Sequence, residues 1–271
     1  MTHYVFTMTA GRTGTAWLAK LFAANFDCIA KHEYLNFGEF GIYSQDVGLM
    51  GAFNQWGNRD RVQAFWKRKF DLIPKCSMYV ETNHALGKCG LIENLEMLPE
   101  GSEVTIVTLR RDWLRQAMSY LTRYDFYNMS TVWLWYLDPR YRNSIVQSKP
   151  FRDMGMIGNI VWYIAEVETR QAYYRQLFGD RYRFVDAQLE TATSHAGASA
   201  LLKQFGHDGT VSLPDKTNAN PNVKPPIEEA RVEALIKRIQ FDPEELARAY
   251  IDAGRRLDVR RDPPKSGTSA S

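Results

Sequence analysis

Short apolar runs along this chain alternate with longer stretches in which apolar residues return every three or four positions. Tyr4–Thr9 (YVFTMT) reads as a buried strand. After a turn at Gly11–Thr15, the residues Trp17, Leu18, Leu21 and Phe22 share one helical face. Asp27–Lys31 (DCIAK) is a second short strand that ends at His32-Glu33. Residues 34–57 mix Gly, Asn and aromatics without a period and read as loop. Val62, Phe65, Trp66, Lys69, Phe70 and Ile73 mark a helix, with Arg59, Arg61, Lys67 and Arg68 off its apolar stripe as a solvated face. Ser77–Thr82 is a third strand, and Leu91, Leu95 and Leu98 predict a helix ended by Pro99-Glu100-Gly101. Val104–Leu109 (VTIVTL) is the clearest buried strand, followed by a helix near Asp112–Tyr127. Residues 129–157 are rich in Trp and Tyr and carry no assignable period. Residues 158–178 read as helix, Tyr182–Val185 as a fifth strand, and the remainder as mostly helical. One late helix starts at Asp242-Pro243-Glu244-Glu245, with Asp as N-cap and Pro at the first position, and stops at Gly254.

Strands alternating with helices predict a three-layer α/β/α fold around a central, mostly parallel, roughly five-stranded sheet. In such sheets ligands gather at the carboxyl ends of the strands. With 271 residues, 45% of them hydrophobic, the chain suits one domain over 1–261, with 129–157 as a candidate substrate-side insertion and 262–271 (DPPKSGTSAS) as a disordered tail. A net charge of +3 fits small anionic ligands and makes no case for nucleic acid. Three cysteines without a CxxC pair favour a reduced, cytoplasmic setting with structural thiols. The strand beginning at Tyr4 leaves no room for a signal segment, and no apolar run approaches the roughly 18 residues of a membrane span, so a soluble protein is expected. Nothing in the chain predicts an oligomeric state.

Chemistry concentrates first in Thr7–Trp17 (TMTAGRTGTAW). Gly11 and Gly14 allow the backbone to turn its N–H groups inward, and the following helix adds the positive end of its dipole. Arg12 puts a permanent cation in the loop, and Thr13 and Thr15 add hydroxyls. These features favour a phosphate-like group; the alternative is an ordinary strand-to-helix turn. A nucleotide-hydrolysing loop reads GxxxxGK[ST], yet here Thr15 and Ala16 follow Gly14. With no lysine for the β/γ-phosphates and no hydroxyl after it for Mg²⁺, ATP or GTP phosphoryl transfer is disfavoured.

A second anion site is suggested in VTIVTLRRDWLRQAMSYL, where Arg110 and Arg111 end a strand and Ser119 lies eight residues beyond Arg111. Alternatively Asp112 caps the helix and the arginines face solvent. Taken with the first loop, the motif implies a nucleotide with two separate anionic groups. His32 and Glu33 end the second strand on the same sheet edge and are candidate general bases, Glu33 first, with Glu33 as an orienter paired to Arg12 or Lys31 as the alternative. His84, in YVETNHAL, ends the third strand and is either a substrate-facing residue or a loop histidine; Glu81 suggests a core-edge ion pair.

Arg12-Thr-Gly-Thr-Ala-Trp17 and Arg111-Asp-Trp…Ser119-Tyr120 resemble the 5′ and 3′ motifs of the PAPS-dependent sulfotransferases, with a weaker echo in YRFVDAQLE (182–190). The resemblance implies transfer of a sulfuryl group from 3′-phosphoadenylyl sulfate (PAPS, leaving PAP) to a hydroxyl or amine of a carbohydrate, lipid or small metabolite, with no metal required. It implies that Arg12 stabilises the transferring group, that the loop Gly11–Ala16, through Gly14 and Thr15 above all, holds the 5′-phosphate, that Trp17 packs near adenine, and that Arg111 and Ser119 hold the 3′-phosphate. It also implies Glu33 or His32 as the base; His84 stands as a third catalytic candidate from its place at the strand end alone. Ala16 replaces a hydroxyl residue, Trp113 replaces a frequent proline, and no Arg-Lys-Gly segment covers the 3′-phosphate; Lys216 or Lys224 are candidates to replace it. A kinase with a degenerate phosphate loop and a non-catalytic nucleotide-binding module stand as alternatives.

Overall fold

The computed structural model describes residues 1–33, 37–127, 134–215, 227–239 and 241–262. Five strands form one all-parallel sheet in the order β2-β3-β1-β4-β5: β1 (His3–Met8), β2 (Ile29–His32), β3 (Met78–Thr82), β4 (Glu103–Arg110) and β5 (Arg183–Gln188). The register sets Phe6 beside Ile106 and Val5 beside Val80. Both faces of β1 are covered, so Tyr4, Val5, Phe6 and Met8 are buried without a polar-apolar alternation, and the buried Thr7 bonds the Asn83 carbonyl. On one face, Val5, Val80 and Val107 pack under α1 (Thr15–Asn25), α8 (Leu189–Ala192) and α9 (His195–Lys203). On the other, Tyr4, Phe6 and Ile106 pack under α2 (Val47–Trp56), α3 (Asp60–Asp71), α4 (Leu91–Asn94), α5 (Trp113–Thr122), α6 (Lys149–Arg152), α7 (Gly155–Phe178), α10 (Glu229–Arg238) and α11 (Pro243–Asp252). The fold is therefore a three-layer α/β/α sandwich.

The chain leaves β1 toward one edge of the sheet and leaves β4 toward the other. The crevice between these two strands, at their carboxyl ends, is the place where such a sheet opens to a ligand. Arg12 and Arg111 follow these two strands.

Several boundaries differ from the sequence reading, each for a local reason. Residues 34–57 contain a helix, α2, capped by Asp46, whose Oδ1 accepts from Leu49 N at 2.5 Å. Its buried face is Leu49, Met50 and Phe53; Gly48 and Gly51 hid that face by lowering helix propensity. The helix expected over Leu91–Leu98 is only α4 followed by a 3-10 turn, Leu95–Met97. There the Asn94 side chain bonds the Gly90 carbonyl at 2.6 Å, competing with the helical backbone. α5 stops at Thr122, short of Tyr127, because Tyr124 takes a left-handed φ of 58°. β5 runs three residues beyond Val185, and β2 includes His32. The expected ion pair at Glu81 is present and buried: Lys69 Nζ, from the apolar stripe of α3, lies 2.9 Å from it. Residues 134–157 pack into the α7 side of the core through Tyr136, Leu137, Ile145, Val146 and Phe151. Residues 129–133 of the 129–157 stretch, Lys216, Lys224 and residues 263–271 of the tail lie outside the described residues. No helix among the described residues is long and apolar enough to cross a membrane.

Candidate functional site

The turn after β1 places Gly11 (φ 93°), Arg12 (φ 57°) and Gly14 (φ 85°) in left-handed conformations. At Gly14 the requirement is twofold. Another residue would be strained there, and an added Cβ would lie 2.4 Å from Leu189 Cδ1. The carbonyls of this turn are held from behind. Tyr163 donates its hydroxyl to Ala10 O at 2.5 Å, and Tyr120 to Ala10 O at 2.7 Å. Gln116 Nε2 donates to Gly11 O at 2.6 Å, and Arg111 Nη1 to Arg12 O at 2.9 Å. Three successive carbonyls are thus fixed from behind, and the amino end of α1, whose first N–H groups have no helical acceptor, lies at the crevice wall, an arrangement that suits an anion.

That crevice is a cleft of ≈ 980 Å³. Gly11, Arg12, Gly14, Thr15, Ala16, Trp17, His32, Glu33, His84 and Arg111 all contribute to its wall. Thr13 and Ser119 do not. Thr13 is buried, with its hydroxyl 2.5 Å from that of Thr9, so its side chain braces the turn. The Ser119 hydroxyl accepts from Arg12 Nε at 3.0 Å and so steadies the loop cation. Trp17 is mostly buried in the α1-side core and reaches the cleft only at its edge. Arg110 and Arg111 diverge, as successive strand-end residues do. Arg110 Nε turns back to Gln171 Oε1 at 2.6 Å, and only Arg111 enters the cleft.

Arg111 brings an unsatisfied buried donor to the cleft. Among the described residues its buried Nε finds no acceptor; Glu190 Oε1 stands 3.8 Å away. Burial works against its charge, and Glu190 supports it. Glu190 comes from the start of α8, the segment after β5. A carboxylate that faces Arg111 competes with any incoming anion. Glu190→Gln is therefore expected to tighten binding of an adenosine bisphosphate about two- to fivefold, or roughly 0.5–1 kcal/mol for a partly exposed charge. Titration calorimetry of the variant reads this directly; weaker binding would instead make Glu190 a structural partner of Arg111.

On the opposite wall the Glu33 carboxylate is shared between two histidines. His84 Nε2 lies 3.8 Å from Oε1 and His32 Nε2 lies 4.0 Å from Oε2. Arg12 and Lys31, the partners considered from the sequence, form no ion pair with it among the described residues. His32 Nδ1 is 2.7 Å from the Thr82 carbonyl, so Nδ1 carries the proton and Nε2 faces Glu33 as an acceptor when the ring is neutral. His84 packs against the backbone of Gly11, with its Cβ and ring carbon 3.3 Å from where a Gly11 Cβ would lie. Burial, chiefly, and then the charges of Lys88, His32 and Arg12 hold the His84 pKa well below the usual histidine range. Its ring is therefore neutral near pH 7.

Lys88 was not anticipated from the sequence. It looks like a surface lysine in LGK, but it is 1% exposed and its Nζ lies 2.8 Å from His84 Nδ1. The usable signal was its spacing, four residues after a histidine. Among the described residues no group of three or more His, Cys, Asp or Glu side chains is arranged to hold a metal ion. No protein-family model matches the chain, and no curated protein matches it in sequence.

Proposed function

We propose that this chain is a sulfotransferase that moves the sulfuryl group of 3′-phosphoadenylyl sulfate to a hydroxyl or amine of a carbohydrate, lipid or small metabolite. The observation that carries the reading is the convergence of two anion-holding elements in one cleft. One is the left-handed turn with the amino end of α1, after β1. The other is Arg111, after β4, whose buried Nε lacks an acceptor among the described residues. Two such elements, each drawn from its own strand end, suit a nucleotide with separate 5′ and 3′ anionic groups. The donor supplies an activated sulfuryl group whose leaving group is a phosphate. The turn, Thr15 and Ala16 hold the 5′ side through backbone N–H groups, and Arg111 holds the 3′ side, with Ser119 acting through Arg12.

Arg12 is the cation nearest the turn and is braced by Ser119, which suits it to charge that builds on the donor during transfer. Glu33 and His84 face each other across the cleft wall and form the proton-accepting pair. Phe40 and Trp135 line the neighbouring wall and offer apolar ring surface to the acceptor. Cys28, Cys76 and Cys89 are all free thiols, in keeping with a reducing compartment.

A melting experiment tests the reading. Adenosine 3′,5′-bisphosphate at about 100 times its Kd should add roughly 2.7 kcal/mol, without Mg²⁺. For a chain near this size that is a shift of about 5–10 °C. No shift, or a larger one with Mg-ATP, overturns the sulfotransferase reading in favour of a phosphoryl-transfer site or a module with another ligand.

A further inference from the structure

Lys88 is a buried charged group beside the cleft that the proposed chemistry leaves unused. It ends the 3-10 turn Leu86–Lys88, directly behind His84 as seen from the cleft. Among the described residues Nζ has three polar neighbours: His84 Nδ1 at 2.8 Å, the Trp135 carbonyl at 2.9 Å and Tyr163 Oη at 2.7 Å. Two of these contacts have a set direction. A carbonyl only accepts. The Tyr163 hydroxyl directs its own proton to Ala10 O, 2.5 Å away, so it too accepts from Lys88. Only the contact with His84 can reverse. An ammonium donates its third hydrogen to Nδ1; a neutral amine, with both hydrogens already engaged, accepts Nδ1–H on its lone pair.

We propose that Lys88 and His84 hold one proton jointly across this contact, and that Lys88 is the positioning residue that decides whether Nε2 faces Glu33 and the cleft as an N–H or as a lone pair. When Lys88 is charged, Nδ1 accepts and the ring carries its hydrogen on Nε2. When the pair loses a proton, the Lys88 hydrogen passes to Nδ1, the Nε2–H is given up, and Nε2 becomes a base. The reverse transfer balances. An acceptor O–H or N–H bond breaks, an Nε2–H bond forms, the Nδ1–H bond breaks, and a third Nζ–H bond forms.

The groups around the pair set the pH at which this occurs. On the cleft side Glu33 favours positive charge on the ring, while Arg12 and His32 oppose it. On the buried side Arg170 opposes charge on Lys88, and the Tyr163 hydroxyl oxygen and the face of Tyr136, centred 5.3 Å from Nζ, favour it. The Cys89 thiol, pushed up to about 12 by burial, stays neutral. Burial pushes Lys88 down to about 7, and it pushes His84 well below the histidine range. Near neutral pH the lysine is therefore the group that changes charge, and the histidine changes only its tautomer.

The functional use of this switch rests on the sulfotransferase reading; its existence is tested without donor or acceptor. Histidine-labelled protein (ring ¹⁵N) is followed by long-range ¹H–¹⁵N correlation between about pH 5 and 9, which brackets ordinary histidine titration. His84 is identified by the signals lost in His84→Gln. The expected result is a neutral ring throughout, Nε2–H at the acid end and Nδ1–H at the alkaline end, crossing near pH about 7. In Lys88→Met the crossing should disappear. A wild-type His84 that protonates as an ordinary imidazole near about 6.5, or that keeps one tautomer over the whole range, overturns the proposal. So does a crossing that survives in Lys88→Met. A failed bisphosphate melt with an intact tautomer crossing would remove the sulfotransferase reading and leave the Lys88–His84 pair standing.

Discussion

Arg170→Met is expected to destabilise the fold by about 3–5 kcal/mol. Arg170 has no exposed surface and reaches three chain segments with one guanidinium. Nε lies 2.7 Å from Glu166 Oε1 on its own helix, α7. Nη1 donates to Asn54 Oδ1 of α2 at 2.8 Å, and Nη2 to the Asn143 carbonyl at 2.6 Å. Glu166 in turn accepts from the backbone N–H groups of Ile145 at 3.0 Å and Val146 at 2.7 Å. The pair thus fastens the segment after Asn143 to α7. Methionine fills most of the volume but leaves a carboxylate in the core without its cation, the costly half of a broken buried pair. Urea unfolding at neutral pH measures the loss. In a melt it is a drop of roughly 6–20 °C. Adding Glu166→Gln removes the stranded charge and keeps the acceptor for Val146, so the double variant should be less damaged than the sum of the singles. A single-variant loss below about 1 kcal/mol would mean that this segment is secured by apolar packing instead.

The second large effect is on binding. Arg111→Ala should weaken adenosine 3′,5′-bisphosphate by about 30- to 150-fold, which corresponds to 2–3 kcal/mol for a lost charge-assisted contact. Arg111 has two separable duties. Its Nη1 braces the turn at Arg12 O, while its Nε, among the described residues, stands without an acceptor at the cleft wall. Adenosine 5′-monophosphate, which lacks the 3′ group, distinguishes them by calorimetry. If Arg111 holds the 3′-phosphate, its loss spares the monophosphate and removes the bisphosphate's advantage. Equal weakening of both would show that Arg111 only shapes the loop. Arg111→Lys should recover little of the loss, because an ammonium cannot brace the loop and grip an anion with one planar fork.

Much of this arrangement was written along the chain. The runs YVFTMT and VTIVTL are strands because a sheet covered on both faces demands unbroken apolar runs. Arg12, between Gly11 and Gly14, and Arg111, after its own strand, fall at the carboxyl edge of a parallel sheet. Even the buried Lys69 stood on the apolar stripe of α3, the place of a lysine with a hidden partner. Helix α2 was missed because Gly48 and Gly51 broke the local signal although Asp46 capped it.

What periodicity could not supply were contacts between residues far apart in sequence. Ser119 meets Arg12 across 107 positions, Arg111 meets Arg12 across 99, and Tyr163 meets Ala10 across 153. A repeat of 2 or 3.6 residues states which face of an element is buried, never which residue of another element lies against it. The sequence by itself determined the layers and brought Arg12, Glu33, His84 and Arg111 to one edge. Only the tertiary structure decided that Ser119 steadies Arg12, that Arg110 turns away, and that Lys88 stands behind His84. The reason is that local patterns are read from the chain's own geometry, whereas the direction of a buried hydrogen bond is set by whichever distant donors and acceptors must be satisfied together in the core.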